Sequence, residues 1–134
     1  MFRWYYLSLM ANILNSKKMI IVISSPSGAG KSSICKQLLK DDPQLSISIS
    51  DTTRPPRDNE TNGTDYNFID KNEFVNRINN NEYIEYANVF GNYYGSLHKD
   101  VQNSLDNGCD VLFDIDWQGS LQLKASNQPN LLTI

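Results

Sequence analysis

Ser24–Ser33, SSPSGAGKSS, is the stretch on which the reading of this chain turns. From Ser25 it runs S-P-S-G-A-G-K-S, which meets the phosphate-binding pattern G-x-x-x-x-G-K-[ST] at every fixed position but the first, where Ser25 stands in place of glycine. That position needs a small residue near a strand end, and serine fits unless a left-handed backbone is demanded there. The flanks decide. Met19–Ser24, MIIVIS, is a β-branched apolar run of the kind that becomes a strand buried on both faces. KSSICKQLLK then sets Ile34, Leu38 and Leu39 at helical spacing with no Gly or Pro before Pro43, which predicts a helix starting near Lys31. In the order strand, loop, helix, successive backbone N–H groups and the helix N-terminus converge on one anion. Ser25, Pro26, Ser27, Gly28, Ala29, Gly30, Lys31, Ser32 and Ser33 are the expected cradle, with Lys31 reaching the outer phosphates and the Ser32 hydroxyl on Mg²⁺.

The remainder of the chain sets bounds on what such a cradle serves. Its 134 residues are about one domain's worth, and 40% hydrophobic residues suffice for one core. Fifteen acidic against twelve basic residues, net −3 with no basic block, argue against a nucleic-acid binder or an anionic membrane surface as partner. Cys35 and Cys109 lie far apart with no C-x-x-C, and His98 is the single histidine, so a zinc site or disulfide framework is unsupported and a reducing cytoplasm is the simplest setting. Residues 1–18 read as an extension outside the fold, since their apolar stretch is broken by Ser8, Asn12 and Asn15 and lacks a cleavage site.

A second strong element is CDVLFDIDWQG, in which Cys109–Ile115 reads as a buried strand bringing Asp114 and Asp116 to the carboxyl edge of a sheet. Asp114 there would help hold Mg²⁺ or its waters. Between the two elements, Leu45–Ser50 alternates like a strand, and Thr52–Asp65 is a Pro-, Asn- and Gly-rich loop carrying Arg54 and Arg57. Two arginines on one loop suggest an anion, with hydroxyls such as those of Tyr66 and Tyr94 closing the cage. Asp70 and Glu73 are spaced like a capping box opening a helix to about Asn80. Tyr83–Val89 and Tyr93–Ser96 form strands around a Gly91-Asn92 turn, and His98 starts a helix that runs to about Asn107 and ends at Gly108.

From Met19 onward the motifs SPSGAGKS, TTRPPR, GTDYNF, EYIEYANVFGNYYGS and DIDWQG, in this order and spacing, resemble those of guanylate kinases. The resemblance implies an α/β phosphate-loop nucleoside monophosphate kinase fold, with a parallel core sheet from 19–49 and 98–134 and an inserted mixed α/β GMP-binding subdomain at 50–97. It implies in-line transfer of the γ-phosphoryl group of ATP to GMP with Mg²⁺, in which Lys31, Arg54 and Asp114 are catalytic. Arg54, Arg57, Tyr66 and Tyr94 match the ligands of the GMP phosphate, while Ser50, Glu85, Ser96 and Asp116 match the guanine readers. The chemistry agrees, because guanine offers N1–H and N2–H donors to carboxylates and O6 to hydroxyl donors. Adenine would leave the carboxylates facing the wrong edge.

Two rivals follow from the same residues. Scaffold modules that resemble guanylate kinases bind peptides with degraded ATP loops, whereas Gly28, Gly30, Lys31 and Ser32 are all present here. A kinase for another base is opposed by Glu85 and Asp116. By comparison with the family the chain stops early, inside PNLLTI, which reads as the opening of another buried strand. The expectation is then of a C-terminally incomplete fold, lacking the arginine-bearing lid, poorly soluble and essentially inactive as a kinase.

Overall fold

The computed structural model describes residues 19–24, 31–126 and 130–133; the expected extension at 1–18 lies outside them. Ile20–Ile23 forms β1, and its two faces take different partners. Ile20 and Val22 pack on one side, while Ile21 and Ile23 pack on the other. Lys31–Asp41 is α1, which lays Cys35, Leu38 and Leu39 against Ile23 and Leu112. Leu45–Ile47 (β2), Asp110–Asp114 (β7) and Leu131–Thr133 (β8) join β1 in a parallel sheet of order β2-β7-β1-β8. His98–Asp106 (α3) and Trp117–Ala125 (α4) cover the face opposite α1, through Val101 and Leu123 packed on Ile20, Val22, Val111, Phe113 and Ile115. Helices on both faces explain why these strands read as unbroken apolar runs.

A second sheet carries Asp51–Thr52 (β3), Asn67–Phe68 (β4), Tyr83–Val89 (β5) and Asn92–Leu97 (β6) in the order β4-β3-β6-β5. It is mixed: β3 and β4 are parallel, and the other pairs antiparallel. Lys71–Asn79 (α2) covers one of its faces. Phe74 of α2 is fully buried and stacks on Tyr83 and Tyr93, with ring centroids 4.5 and 5.1 Å apart. Gly95 makes that approach feasible, since a Cβ there would stand 2.9 Å from Phe74 Cζ. Asp70 caps α2 by accepting from the Glu73 N–H, but Glu73 turns to Arg77 instead of reaching back, so only half of the expected capping box forms.

Two expectations need correction. Leu45–Ser50 is not one strand: β2 ends at Ile47, the Ser48 N–H still donates to Leu112 O, and the Ser50 carbonyl accepts from Asn67 in the other sheet. Alternation persists across the crossing, so periodicity alone does not reveal it. The hairpin turn is Phe90-Gly91 rather than Gly91-Asn92, with Val89 paired to Asn92 and φ of 51° and 84° at the two turn residues. Positive φ at both is the turn that matches strand twist, and Asn92 is thereby the first residue of β6. α4 carries no assignment from sequence periodicity. No helix among the described residues is long and apolar enough to cross a membrane.

The second sheet is pinned by Asp51, which is wholly buried. Its carboxylate accepts from Tyr83 Oη at 2.8 Å, from Asn67 Nδ2 at 3.1 Å and from Arg77 Nη1, while Arg77 Nη2 donates to Glu73. Removing the cation would leave a buried charge on neutral donors alone, a change that costs about 3–5 kcal/mol. Arg77→Met is therefore expected to lose roughly that much in urea unfolding, and Arg77→Met combined with Asp51→Asn to regain part of it. An additive double variant would show that the two side chains do not act as a pair.

Candidate functional site

Strand β6 has two faces with different tasks. Tyr93, Gly95 and Leu97 turn toward α2 and its aromatic cluster, and alternation turns Tyr94 and Ser96 to the opposite side, about 7 Å apart along the strand. Around Ser96 a polar cluster forms. Ser96 is opposite Glu85 of β5 in register, and its hydroxyl donates to Glu85 Oε1 at 2.6 Å. The Ser50 hydroxyl lies 3.3 Å from that of Ser96. All three residues are buried.

Asp116 completes this cluster from the core sheet's side. It is the N-cap of α4, with Oδ1 accepting from the Gly119 N–H at 3.1 Å, and its charge bears on Glu85. Gly119 is what lets the helix and the carboxylate meet, since a Cβ there would lie 2.5 Å from Glu85 Oε2. Gln122 pins the same helix to β5 through the N–H and carbonyl of Tyr86. Burial, with Asp116 adding, pushes Glu85 up to about 7 against the downward pull of Ser96. All four residues expected to read a base are thus in one cluster.

Around Tyr94 lies the second group. Its ring meets Tyr66 edge-on at 5.8 Å, and the Arg54 guanidinium stands 5.3 Å over the Tyr66 ring and hydrogen-bonds with Tyr94. Tyr66 is pushed up by burial first and by Tyr94, Arg54 opposing and Asp114 adding, so the end of β7 is within electrostatic reach of this cluster. Arg54, Tyr66 and Tyr94 come together as expected; Arg57 shares their loop with its side chain exposed. Glu60, Gly119, Asp51 and Arg77 were missed. Glu60 and Asp51 flank the quoted arginine motif, and an acid beside paired arginines is the signal that could have found them.

At the carboxyl edge of the core sheet, β1 ends at Ile23, which pairs with Asp114, and α1 begins at Lys31. Residues 25–30 and the side chains of Lys31 and Ser32 lie outside the described residues, so the expected cradle is placed only by the strand and helix that flank it. A cleft of about 290 Å³ opens at this edge, lined by Ser24, Trp117, Ser120, Leu121, Lys124 and Thr133. Among the described residues no three His, Cys, Asp or Glu side chains converge as a metal site.

The guanylate kinase family model matches residues 17–134. The chain is 50% identical to a guanylate kinase of Rickettsia bellii over 119 residues, 89% of this chain and 62% of that protein. It is 45% identical to one from Ruegeria pomeroyi, over 81% of this chain and 51% of that one. A crystal structure of guanylate kinase from Anaplasma phagocytophilum superposes with a TM-score of 0.74 at 36% identity, covering 87% of this chain and 57% of the other. The chain therefore spans about half to three fifths of the length of these relatives.

Glu85 gives a test of the buried cluster that needs no ligand. Its carboxyl is held near 7 in the fold against 4.5 ordinarily, so the folded state binds the extra proton between those values. The stability this contributes is present below about pH 4.5 and is lost as pH rises through about 7, an effect of up to roughly 3 kcal/mol. Relative to Glu85→Gln, which cannot titrate, the parent is expected to lose stability in urea unfolding as pH goes from 4.5 to 8. Parallel pH profiles of the two proteins would show that Glu85 is not held protonated.

Proposed function

The chain belongs to the guanylate kinase family, and we propose that its second sheet binds GMP while β1, the glycine-rich loop and α1 bind ATP, for transfer of the γ-phosphoryl group to GMP. One observation carries this reading: a buried hydroxyl and carboxylate cluster and an arginine and tyrosine cluster share one face of β6. Guanine presents N1–H and N2–H to Glu85 and Asp116, and its O6 to the hydroxyls of Ser50 and Ser96. Arg54 and Arg57, with the hydroxyls of Tyr66 and Tyr94, take the dianionic phosphate.

Ser25, Pro26, Ser27, Gly28, Ala29, Gly30, Lys31, Ser32 and Ser33 hold the phosphates of ATP in this reading, and Asp114 with the Ser32 hydroxyl holds Mg²⁺ among them. When bound, that ion neutralises charge on the outer phosphate oxygens. Lys31 adds a point charge at the same phosphates, and Arg54 orients the GMP oxygen that attacks. No protein nucleophile is required. The acceleration comes from holding the two phosphates in line and from excluding water between the sheets. The setting that fits these substrates is the cytoplasm.

Glu85→Gln tests the base site. The amide places a donor where guanine also donates, so GMP affinity is expected to fall about ten- to a hundredfold and the preference over AMP to narrow. In the parent, GMP needs the ionised carboxylate, so affinity is expected to fall by up to tenfold per unit as pH drops below about 7, and to level off above it. Calorimetric titration of GMP and AMP reads both effects; an unchanged preference would move base recognition away from Glu85. Lys31→Ala is expected to weaken Mg-ATP binding by roughly 1.5–3 kcal/mol. Equal ATP affinity in variant and parent would remove the cradle role.

A further inference from the structure

Arg54 is not a loose cation. Glu60 Oε1 accepts from its Nη1 and Oε2 from its Nη2, both at 2.8 Å, and the two side chains are only 12% and 13% exposed. The carboxylate is itself fixed, because the Arg57 N–H donates to Oε1 at 2.8 Å and the Glu60 N–H returns to the Arg57 carbonyl at 3.0 Å. Nη1 also donates to the Pro55 carbonyl at 3.0 Å. A guanidinium carries five N–H groups in a rigid fork. Glu60 and Pro55 between them take both hydrogens of Nη1 and one of Nη2, which leaves only Nε–H and the second Nη2–H for Tyr94 and a ligand. Those two lie parallel along one edge, the geometry in which a phosphate is bound bidentately.

We propose that Glu60 is a positioning residue of the phosphate cage, holding the end of the Arg54 fork so that its side edge is set for a phosphate monoester. The inference rests on the GMP reading and adds a residue to it. Two effects of the Glu60 charge oppose each other. Its carboxylate reduces the positive field of the cage, and it removes the rotamer freedom that a long side chain otherwise loses on binding. The second prevails here, because Glu60 sits at the end of the fork rather than on the edge left for the ligand, and long-range repulsion is weak near solvent. Glu60 remains ionised down to about pH 2, through its hydrogen bonds first to Arg54 and then to the Arg57 N–H, so the arrangement persists across working conditions.

The test separates phosphate from base by titrating GMP and guanosine into the parent chain, Glu60→Gln, Arg54→Ala and the double variant. The parent is expected to prefer GMP over guanosine. Glu60→Gln is expected to cut that preference about tenfold with guanosine affinity unchanged, and to add no more than twofold in the Arg54→Ala background. Glu60→Asp, which keeps the charge but draws it back by one methylene, is expected to cut the preference about threefold and serves if Glu60→Gln does not fold. An unchanged preference overturns the proposal, as does an increased one, which would make Glu60 a competitor of the phosphate. Equal losses for GMP and guanosine overturn it too, since they mark a purely structural role. A parent that binds neither ligand, or gains nothing from the phosphate, overturns the GMP reading itself and the proposal with it.

Discussion

The buried carboxylate of Asp51 is the constraint on which the second sheet depends. It sits on β3 between Ser50, a member of the base cluster, and the residues leading to Arg54. Its donors come from β4, α2 and β5, so one charge ties three elements to the short strand that lies between Ser50 and Arg54. An ion pair of this kind contributes little net stability over a well-packed apolar substitute, but it is costly to break. Its value is positional. With Asp51 fixed, Ser50 is held beside Ser96 and the chain leaves β3 in the direction that brings Arg54 over Tyr66.

Strand β6 then divides the space. Each residue that faces α2 is apolar or absent as a side chain, and Gly95 lets Phe74 stack where a methyl group would not fit. The alternate residues, Tyr94 and Ser96, face the other way, to the side proposed to take the ligand. This places the burden on Glu85, whose burial is opposed by a serine hydroxyl but made worse by Asp116. A side chain chosen for stability alone would not be charged at this point, and such departures from local consistency concentrate at sites that bind something.

Much of this was legible in the chain. The strand before Ser25, the helix from Lys31 and the apolar run ending at Asp114 are read from local patterns, because each of these elements buries its own stretch of chain. The arginine and tyrosine group was suggested by two arginines on one loop, the four expected base readers came from the family resemblance, and the fold gathers those four and, of the other set, Arg54, Tyr66 and Tyr94. What could not be read was non-local. The break after Ile47 depends on which sheet pairs with each half of a single alternating run. α4 has a glycine in its first turn whose reason is a carboxylate 34 positions earlier in the chain, Glu85 against Gly119. Phe90 at positive φ is unusual for a bulky residue, and only the Val89–Asn92 register reveals it.

Two glutamates of one ordinary acidity finish at opposite ends of the scale. Glu60 is drawn down to about 2 by Arg54 and the Arg57 N–H, and Glu85 is pushed up to about 7 by burial with another acid nearby. The difference is one of partners rather than residue type. Environments that drive like groups apart are how a site assigns roles to them. A glutamate that stays charged beside a cation can only orient it, which is what a phosphate cage requires. A glutamate short of donors is different, because a ligand that brings two N–H groups supplies what the fold withholds. Guanine is such a ligand, and adenine, with an acceptor at N1, is not. Base selectivity in this reading follows from leaving Glu85 under-solvated, and the stability lost there is what makes the correct base preferable to water.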